Sequence, residues 1–292
     1  MKIAKKLLAG VLVFMMSVSP VAFAEEASED VAPVQEVTEN SNYTAAAEKR
    51  LSDFALLCYW QNRALLFFGG VFMTEHSFYM ECAIQLAKRG TGFTNPNPLV
   101  GAVIVKDHRI IGEGWHARYG DLHAERNALK HCTEDPAGAT MYVTLEPCCH
   151  HGKQPPCTEA LVESGIRRVY IGSRDFNPLV FGKGVQYLEE HGIEVIPDFL
   201  REACDKLNPI FFRYIGTKMP YTILKYAMTA DGKIACAGGA SKWVTGEAAR
   251  AHVQQTRKRV AAVCVGIGTV LADDPLLTCR CENPSQPVRV VL

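Results

Sequence analysis

A histidine, a glutamate and two cysteines lie close enough along this chain to build a catalytic zinc centre. His123 begins a His-Ala-Glu triplet that ends at Glu125, and Cys148 follows a proline after a strand-like run, with Cys157 nine residues further on. One imidazole and two thiolates are three protein ligands, and three ligands leave a tetrahedral zinc ion one position open for water. Zinc lowers the pKa of bound water to about 7, so this set predicts hydrolytic chemistry at neutral pH.

Glu125 suits a different role from the ligands. It lies two residues after His123, where a carboxylate can reach the water on the metal without binding the metal itself. A histidine ligand, a nearby glutamate that moves protons and a later Pro-Cys pair form the pattern of the zinc deaminases, whose cysteines are usually spaced Cys-x-x-Cys. Cys149 is a competing ligand beside Cys148. We prefer Cys157, because neighbouring thiols rarely point at one ion and Cys157 begins a predicted helix.

The elements around these residues predict an α/β fold. Residues 76–90 have apolar side chains at helical spacing and end at a glycine, and the runs LVGAVIVKD and RIIGEGWH predict a hairpin. The elements that follow are a helix from about His123, the strand ATMYVTL, the helix at Cys157, the strand RRVYIGS, the helix GVQYLEEHG and the strand IEVI. Strands that alternate with helices build an α/β sandwich. Both halves of the metal site begin helices, whose N-termini stabilise thiolates.

Charge and cysteine content restrict the class of partner and the compartment. The chain has 31 acidic and 31 basic residues and a formal net charge of +0. No basic surface for nucleic acid is therefore expected. The 11 cysteines are odd in number and lack the spacing of a small disulfide-rich domain, so they favour a reducing compartment.

The first 72 residues have a different character. Residues 1–24 have three early lysines, an apolar run and a terminal Ala-Phe-Ala, which is typical of a secretory signal peptide. Residues 25–50 are acidic and polar and predict a linker. Residues 51–73 are apolar but interrupted by polar side chains and a glycine pair, so no stable membrane span is expected.

Several segments of the chain together resemble one enzyme family. TNPNPLVGAVIVKD, GEGWH, the His-Ala-Glu triplet, YVTLEPCCHHGKQPPCTEAL and GKGVQYLEEHGIEV look like the amino-terminal deaminase of the bifunctional riboflavin-biosynthesis deaminase/reductase. The resemblance implies a cytidine-deaminase-like three-layer α/β/α domain over residues 73–216. A long interval between the cysteine ligands is a feature of that family, which removes the spacing anomaly. Phe176 stands where the family has proline in Asp-Pro-Asn-Pro, so the shape of that loop is expected to differ.

The resemblance also implies an activity and its residues. The reaction is the zinc-dependent hydrolytic deamination of a phosphoribosylaminopyrimidine on the route from GTP to riboflavin. The zinc ligands implied are His123, Cys148 and Cys157. Glu125 is the proton shuttle, and Asn97 matches an asparagine of the pyrimidine pocket, although an Asn-Pro pair also marks turns. Three further candidates for holding the substrate or its phosphate are His116, His150 and Lys153.

Residues 217–292 resemble the beginning of the same family's reductase, a dihydrofolate-reductase-like α/β domain that uses NADPH. The implied NADPH contacts are Ala227, Trp243, Thr269 and Asp273. The implied substrate contacts are Ser241, Arg257, Leu277 and Arg280. Arginine suits a ribose phosphate because a guanidinium can bind it through two hydrogen bonds. A single arginine on a helix such as Arg257 also fits a solvated face.

The reductase segment lacks the family's later glycine-rich NADPH run. We therefore expect an incomplete, carboxy-terminally truncated reductase with open sheet edges, and little or no reduction. We also expect residues 1–72 to be a fused or misread segment before a natural start at Met73. GTP-derived intermediates and NADPH are cytosolic, so a cytoplasmic enzyme is expected, and the family tends to form homo-oligomers.

Three alternatives are weaker. A cytosine, guanine or tRNA adenosine deaminase is disfavoured by the long Cys148 to Cys157 interval and by the reductase-like segment. A non-catalytic secreted module with a structural zinc ion would have no need of Glu125. An NADPH-binding protein with an inactive deaminase is disfavoured because every residue of the zinc site is present.

Overall fold

The computed structural model describes residues 12–15, 65–68, 71–152, 154–177 and 180–292. The chain divides into two compact units, one of residues 21–78 and one that joins residues 1–20 to residues 79–292. In the smaller unit, β2 (Leu65–Phe68) pairs antiparallel with β3 (Val71–Thr74). Apart from β1 (Leu12–Met15), the predicted signal peptide and the polar linker lie outside the described residues, and both stay predictions.

A sheet of five strands forms the centre of the predicted deaminase region. Its strands are β4 (Gly101–Lys106), β5 (Arg109–Trp115), β6 (Thr140–Leu145), β7 (Arg168–Ser173) and β8 (Glu194–Ile196). The order across the sheet is β5-β4-β6-β7-β8. The hairpin β4-β5 is antiparallel, β4 is also antiparallel to β6, and β6, β7 and β8 run parallel. Strands β4, β6 and β7 read as nearly continuous apolar runs because helices cover both of their faces.

Helices surround this sheet. They are α1 (Glu75–Lys88), α2 (Ala124–Lys130), α3 (Cys157–Glu163), α4 (Lys183–Glu190), α5 (Arg201–Asp205) and α6 (Pro209–Thr217). The sequence patterns predicted the first four and missed the last two. Helix α5 is too short for its apolar periodicity to be recognised. Helix α6 begins with proline after an asparagine at its N-cap, which was a usable start signal.

Successive side chains of each strand point to opposite faces of the sheet, and each face packs against a different layer of helices. On one face, Ala102 and Ile104 of β4 belong to a buried cluster with Ala128 of α2, Leu161 of α3 and Leu188 of α4. On the other face, an aromatic row crosses the sheet from α1 towards α5. It consists of the ring pairs Tyr79–Tyr142, Tyr142–Tyr170 and Tyr170–Phe199, at 5.2, 4.8 and 5.0 Å. The three-layer α/β/α arrangement is confirmed.

Glycines in β5 allow α2 to approach the sheet closely. A Cβ atom on Gly114 would lie closer than 3.0 Å to the backbone nitrogen of Ala128 and the backbone oxygen of Ala124. The obstacle is helix backbone, which cannot yield as a flexible side chain can. Gly114 therefore sets the position of the helix that follows His123.

Gly114→Ala is expected to lower the free energy of unfolding by about 1–3 kcal/mol, the usual cost of overpacking a tight core. Chemical denaturation measures this as a lower midpoint with an unchanged slope. Gly216→Ala in α6 is the matched control, because a Cβ atom there meets nothing within 4 Å. That control is expected to leave stability unchanged or raised. Equal midpoints for the two variants would contradict the close approach of α2 to β5.

A second sheet lies in the carboxy-terminal part of the chain. Its elements there are β9 (Thr222–Lys225), α7 (Glu247–Arg259), β10 (Ala262–Val265), α8 (Ile267–Asp273) and β11 (Val288–Val291). The strand order is β11-β10-β1-β9, and β1 is parallel to both β10 and β9. Cleavage after residue 24 would therefore remove a central strand of this sheet. Large apolar side chains are exposed here, among them Leu224, Trp243, Leu271 and Leu276.

Among the described residues, no helix combines the length and the apolar character needed to cross a bilayer.

Candidate active site

The histidine and the two cysteines of the predicted zinc site lie together at the beginnings of two helices. His123 is the N-cap residue of α2, Cys157 is the first residue of α3, and Cys148 lies in the loop after β6. Nδ1 of His123 is 3.5 Å from Sγ of Cys148 and 3.4 Å from Sγ of Cys157. The three ligand atoms all lie within 4.8 Å of one another.

These separations fit a tetrahedral zinc ion. Zn–S bonds of about 2.3 Å and Zn–N bonds of about 2.0 Å at tetrahedral angles place the nitrogen and sulfur ligands about 3.5 Å apart. The distances of 3.5 and 3.4 Å agree with that value. Cys149, the competing ligand, is not a member of this group. Three protein donors leave the fourth position for a water molecule.

The beginning of α3 holds the loop that carries Cys148. The backbone N–H of Thr158 donates to the carbonyl oxygen of Cys148 at 3.2 Å, and the Thr158 hydroxyl donates to the same oxygen at 3.4 Å. The backbone N–H of Cys157 donates to Sγ of Cys148 at 3.4 Å. Because α3 supplies both Cys157 and these donors, the two cysteines are positioned as one unit although nine residues separate them.

The pKa values of the two thiols in this unit are shifted in opposite directions. Hydrogen bonds from Cys157 and His123 lower the pKa of the Cys148 thiol to about 4, against the opposing effect of burial. The hydrogen bond to Cys148 and burial raise the pKa of Cys157 well above its usual value. A coordinating thiol is deprotonated outright by a bound cation, so we expect zinc binding to release the Cys157 proton.

Glu125 lies on the first turn of α2 and is 4% exposed. Burial raises the pKa of its carboxyl group, and the charge of Cys148 raises it further. A carboxylate whose pKa is raised is a stronger proton acceptor, and once protonated it can donate that proton again. Its place beside the three ligands therefore suits a proton carrier rather than a structural ion pair.

A cavity of about 260 Å³ opens beside the ligand group. The predicted site residues that line it are Asn97, His116, His123, Glu125, Cys148 and His150. Nδ1 of His116 lies 3.0 Å from the carbonyl oxygen of Leu122, and Nε2 lies 3.1 Å from Nδ2 of Asn97. Burial lowers the pKa of His116, so a neutral ring can donate from Nδ1 and accept the Asn97 amide at Nε2. Because this bond uses the amide nitrogen of Asn97, the amide oxygen remains available to accept a hydrogen bond from a ligand.

A distant helix fixes the loop that carries Asn97. The side chain of Asn208, the buried N-cap residue of α6, accepts from the backbone N–H of Leu99 at 2.7 Å and donates to the carbonyl of Leu99 at 2.8 Å. The two residues are 109 positions apart in the chain. The Asn97 turn is therefore held by a helix that the sequence patterns did not predict.

The remaining candidates of the deaminase region lie in different positions. His150 lines the cavity, and its buried Nδ1 has no hydrogen-bond partner among the described residues. Lys153 lies outside the described residues. Phe176, the departure from the family's loop, is 40% exposed and packs edge-on against Phe212 at 5.2 Å.

Sequence reasoning missed Asp175 and Glu146 as cavity residues. The Glu146 carboxylate accepts the backbone N–H groups of Gly182 and Gly184 at 3.2 and 3.1 Å and so holds the beginning of α4. Asp175 is buried, and its Oδ1 accepts the backbone N–H of Asn177 at 2.8 Å. Their positions just after the parallel strands β6 and β7 could have indicated them, because ligands bind at the carboxyl ends of such strands.

The pH dependence of the free energy of unfolding should reveal the raised pKa of Asp175. Burial raises the pKa of its carboxyl group from 3.8 to about 6. Between these values the folded protein keeps a proton that the unfolded chain releases, so stability falls as pH rises from about 4 to 6. At about 1.4 kcal/mol per pKa unit, the cost above pH 6 is on the order of 3 kcal/mol. Asp175→Asn is expected to be more stable than the wild type at pH 7 and equal to it below pH 4, measured by urea unfolding. A stability difference that does not vary with pH would contradict this assignment.

Two family models match the chain. Residues 73–173 match the cytidine and deoxycytidylate deaminase zinc-binding region, and residues 220–292 match the RibD C-terminal domain. The riboflavin biosynthesis protein RibD of Actinobacillus pleuropneumoniae is 62% identical over 213 residues, which are 73% of this chain and 57% of that protein. The protein of the same name from Escherichia coli is 43% identical over 231 residues, 75% of this chain and 63% of that protein.

Solved structures of RibD proteins are similar to this chain as well. The crystal structure of a diaminohydroxyphosphoribosylaminopyrimidine deaminase/5-amino-6-(5-phosphoribosylamino)uracil reductase from Thermotoga maritima is 52% identical, with a TM-score of 0.71 over 74% of this chain and 62% of that one. The resemblance to the riboflavin-biosynthesis deaminase/reductases is confirmed. Acinetobacter baumannii RibD is similar at 49% identity, with a TM-score of 0.70 over 74% of this chain and 63% of that one. The chain spans 57% to 63% of the length of these RibD relatives.

The residues predicted for the reductase lie in the part that matches the RibD C-terminal domain. Arg257 of α7 is half-buried and donates from Nη1 to the carbonyl of Thr278 at 2.9 Å, and the backbone N–H of Arg280 donates to Gln254 Oε1 at 2.9 Å. These bonds connect α7, which carries Arg257, to the loop that carries Arg280 and the buried Leu277.

The other reductase candidates are spread over several elements. Thr269 and Asp273 lie on α8, Ala227 follows β9, and Ser241 and Trp243 lie in the segment between β9 and α7. Trp243 is 73% exposed, with the Arg250 guanidinium 4.3 Å from its ring centre. The NADPH and substrate roles of these residues stay predictions.

Proposed function

We propose that this chain is a zinc-dependent deaminase that hydrolyses the amine of a phosphoribosylated diaminopyrimidine in riboflavin biosynthesis. The observation that supports this most directly is the buried Glu125 beside a His-Cys-Cys group at one side of a cavity. A structural zinc site needs no buried carboxylate next to it. Burying an ionisable group is unfavourable in free energy, so a buried carboxylate beside a metal site indicates a functional role. The size of the cavity, about 260 Å³, suits one heterocycle.

In this reaction the protein has to move protons. Bound zinc lowers the pKa of a water molecule and so supplies the nucleophile at neutral pH. Glu125 accepts one proton of the attacking water and gives it to the ring nitrogen; it then accepts the remaining proton of the added hydroxyl group, which becomes the carbonyl oxygen, and passes that proton to the amine, which leaves as ammonia. Burial raises the pKa of Glu125, which makes its carboxylate a better proton acceptor for these steps.

Other cavity residues orient the substrate. The Asn97 amide, held through its nitrogen by His116, presents its oxygen to an amino or ring N–H of the pyrimidine. His150, whose buried Nδ1 is unpaired within the described part of the chain, is placed to hydrogen-bond the substrate as well. The phosphoribosyl group extends towards the open side of the cavity, and the sequence offers Lys153, three residues after His150, as a candidate for its phosphate.

The same proposal assigns the deaminase to residues 73–216 and a reductase portion with NADPH as its cofactor to residues 217–292. The match of residues 220–292 to the RibD C-terminal domain supports the second assignment. Burial lowers the pKa of the predicted substrate residue Arg257, and the positive charge of Arg280, the second predicted substrate arginine, lowers it further. Two neighbouring guanidinium groups suit a phosphate ligand.

We also propose that the protein acts in the cytoplasm as a homo-oligomer. All cysteines that the structure describes are free thiols, which fits a reducing compartment. Cell fractionation followed by light scattering of the purified chain tests both statements, and a secreted monomer would contradict them.

Mass spectrometry of the product tests the proposed activity. The zinc-loaded chain is incubated with the phosphoribosylated diaminopyrimidine, with and without NADPH. Exchange of an amine for a carbonyl oxygen is expected in both reactions. Two further hydrogens in the NADPH reaction would demonstrate reduction and contradict the prediction of an inactive reductase portion. Unchanged substrate with turnover of cytidine or guanine would favour the rival deaminases, and no turnover with zinc bound would favour the structural site.

A further inference from the structure

Arg126 connects the two halves of the metal site. It follows Glu125 on α2, and its half-buried side chain reaches the segment that precedes Cys157. Nε donates to the carbonyl oxygen of Pro155 at 3.2 Å, and Nη2 donates to the carbonyl oxygen of Pro156 at 2.7 Å. One guanidinium therefore grips two consecutive carbonyl groups immediately before a zinc ligand.

The geometry of this contact requires arginine. The guanidinium is a rigid planar fork whose donors point in fixed directions, whereas a lysine ammonium is a single point charge on a flexible stem. The gripped residues are also stiff, since the ring of each proline fixes its φ angle. A fork that holds two carbonyls of a stiff segment restrains its orientation as well as its distance.

The restraint is transmitted to both cysteine ligands. Pro156 is the N-cap residue of α3, and Cys157 follows it directly. The backbone N–H of Cys157 then donates to Sγ of Cys148 at 3.4 Å. Because α2 also provides His123 and Glu125, a displacement of the Pro155–Pro156 segment from Arg126 would change all the distances between the histidine and the two sulfurs.

We propose that Arg126 is a positioning residue of the zinc centre, which clamps the Cys157 segment to the helix that carries His123 and Glu125 and so slows the release of zinc. The proposal rests on the zinc site of the proposed function. It concerns retention of the metal and the geometry of the thiolates, and it makes no demand on the substrate.

The experiment measures zinc release from the full chain into an excess of a coloured chelator. Arg126→Met removes both hydrogen bonds and keeps the aliphatic stem, and Arg126→Lys keeps the charge but loses the fork. Lys130→Met is the matched control, because it removes one positive charge from an exposed position of the same helix. Loss of a partner that only orients metal ligands typically costs about 10–100-fold in metal affinity. We expect Arg126→Met and Arg126→Lys to release zinc about 10–100-fold faster than the wild type, and Lys130→Met to match the wild type.

A second readout separates positioning from general stability. In the cobalt-substituted proteins, the visible absorption bands report the geometry of the two thiolates and the imidazole. We expect these bands to shift in both Arg126 variants and to stay unchanged in Lys130→Met, while the zinc-free proteins all unfold at the same temperature.

The outcomes distinguish this proposal from the proposed function. Unchanged zinc release and an unchanged cobalt spectrum in Arg126→Lys, with a zinc-loaded wild type, would overturn the clamp alone. Zinc-free Arg126 variants that unfold earlier and show the wild-type cobalt spectrum would reduce Arg126 to a structural residue and also overturn it. A wild-type chain that binds no zinc would overturn the proposed function and the clamp together.

Discussion

Glu125→Gln is expected to lower the rate of deamination by about 10²–10⁴-fold or more while the zinc content stays the same as in the wild type. Glutamine has the size of glutamate and can accept a hydrogen bond, but it cannot carry a proton between the attacking water and the leaving amine. The residue is buried beside the three ligand atoms without belonging to the metal-binding group. Its replacement should therefore separate catalysis from metal binding. Steady-state ammonia release and zinc analysis of the same preparation measure the two effects.

Glu113→Gln is the matched control for this experiment. Glu113 is an exposed glutamate on the neighbouring strand β5, so the same change of charge there should leave turnover within a factor of about two of the wild type, as expected for surface substitutions. Loss of zinc in Glu125→Gln would show that the carboxylate supports the metal rather than the chemistry. Full activity of Glu125→Gln would contradict the assigned mechanism.

Cys157→Ser is expected to have the second large effect, loss of zinc together with loss of all measurable deamination. A thiolate is a far better ligand for zinc than an alcohol, and three protein ligands are the minimum for a catalytic site. The loss of affinity should exceed the about 10–100-fold that follows the removal of a group that only orients a ligand. Zinc per chain after dialysis, measured by mass spectrometry of the metal, provides the test.

Cys149→Ser controls for the choice between the two candidate cysteines. Cys149 adjoins Cys148 in the chain but lies outside the group of ligand atoms that converge within 4.8 Å. Its replacement should leave both zinc and activity intact. Zinc loss in Cys149→Ser with zinc retained in Cys157→Ser would reverse the assignment of the ligands.

Local sequence predicted the His123, Cys148 and Cys157 group that the structure brings together, because the chemistry of these residue types is specific. A histidine, a glutamate two residues later and a Pro-Cys pair serve few purposes other than a zinc site, and His123 and Cys157 lie at the beginnings of helices that the sequence predicts. The choice of Cys157 over Cys149 was open on spacing alone. The structure brings Cys157 to 3.4 Å from Nδ1 of His123 because α3 returns along the sheet beside α2.

The walls of the cavity were much harder to predict. Asp175 and Glu146 follow different strands, and only the parallel pairing of β6 with β7 brings the two strand ends to one edge. Asn208 holds the Asn97 loop from 109 residues away. Arg126 has an ordinary position on an amphipathic helix, and nothing in its local sequence indicates the two proline carbonyls that it grips.

The sequence by itself predicted which residues are candidates to bind zinc and which one to move protons, and it determined which segments form the strands and the first four helices around the sheet. These features follow from side-chain type and from periodicity over a few residues. The tertiary structure alone decided which polar side chains line the cavity and which helix fixes each loop. Such contacts join residues far apart in the chain, and their existence depends on how the strands pair and on which face of the sheet each helix packs.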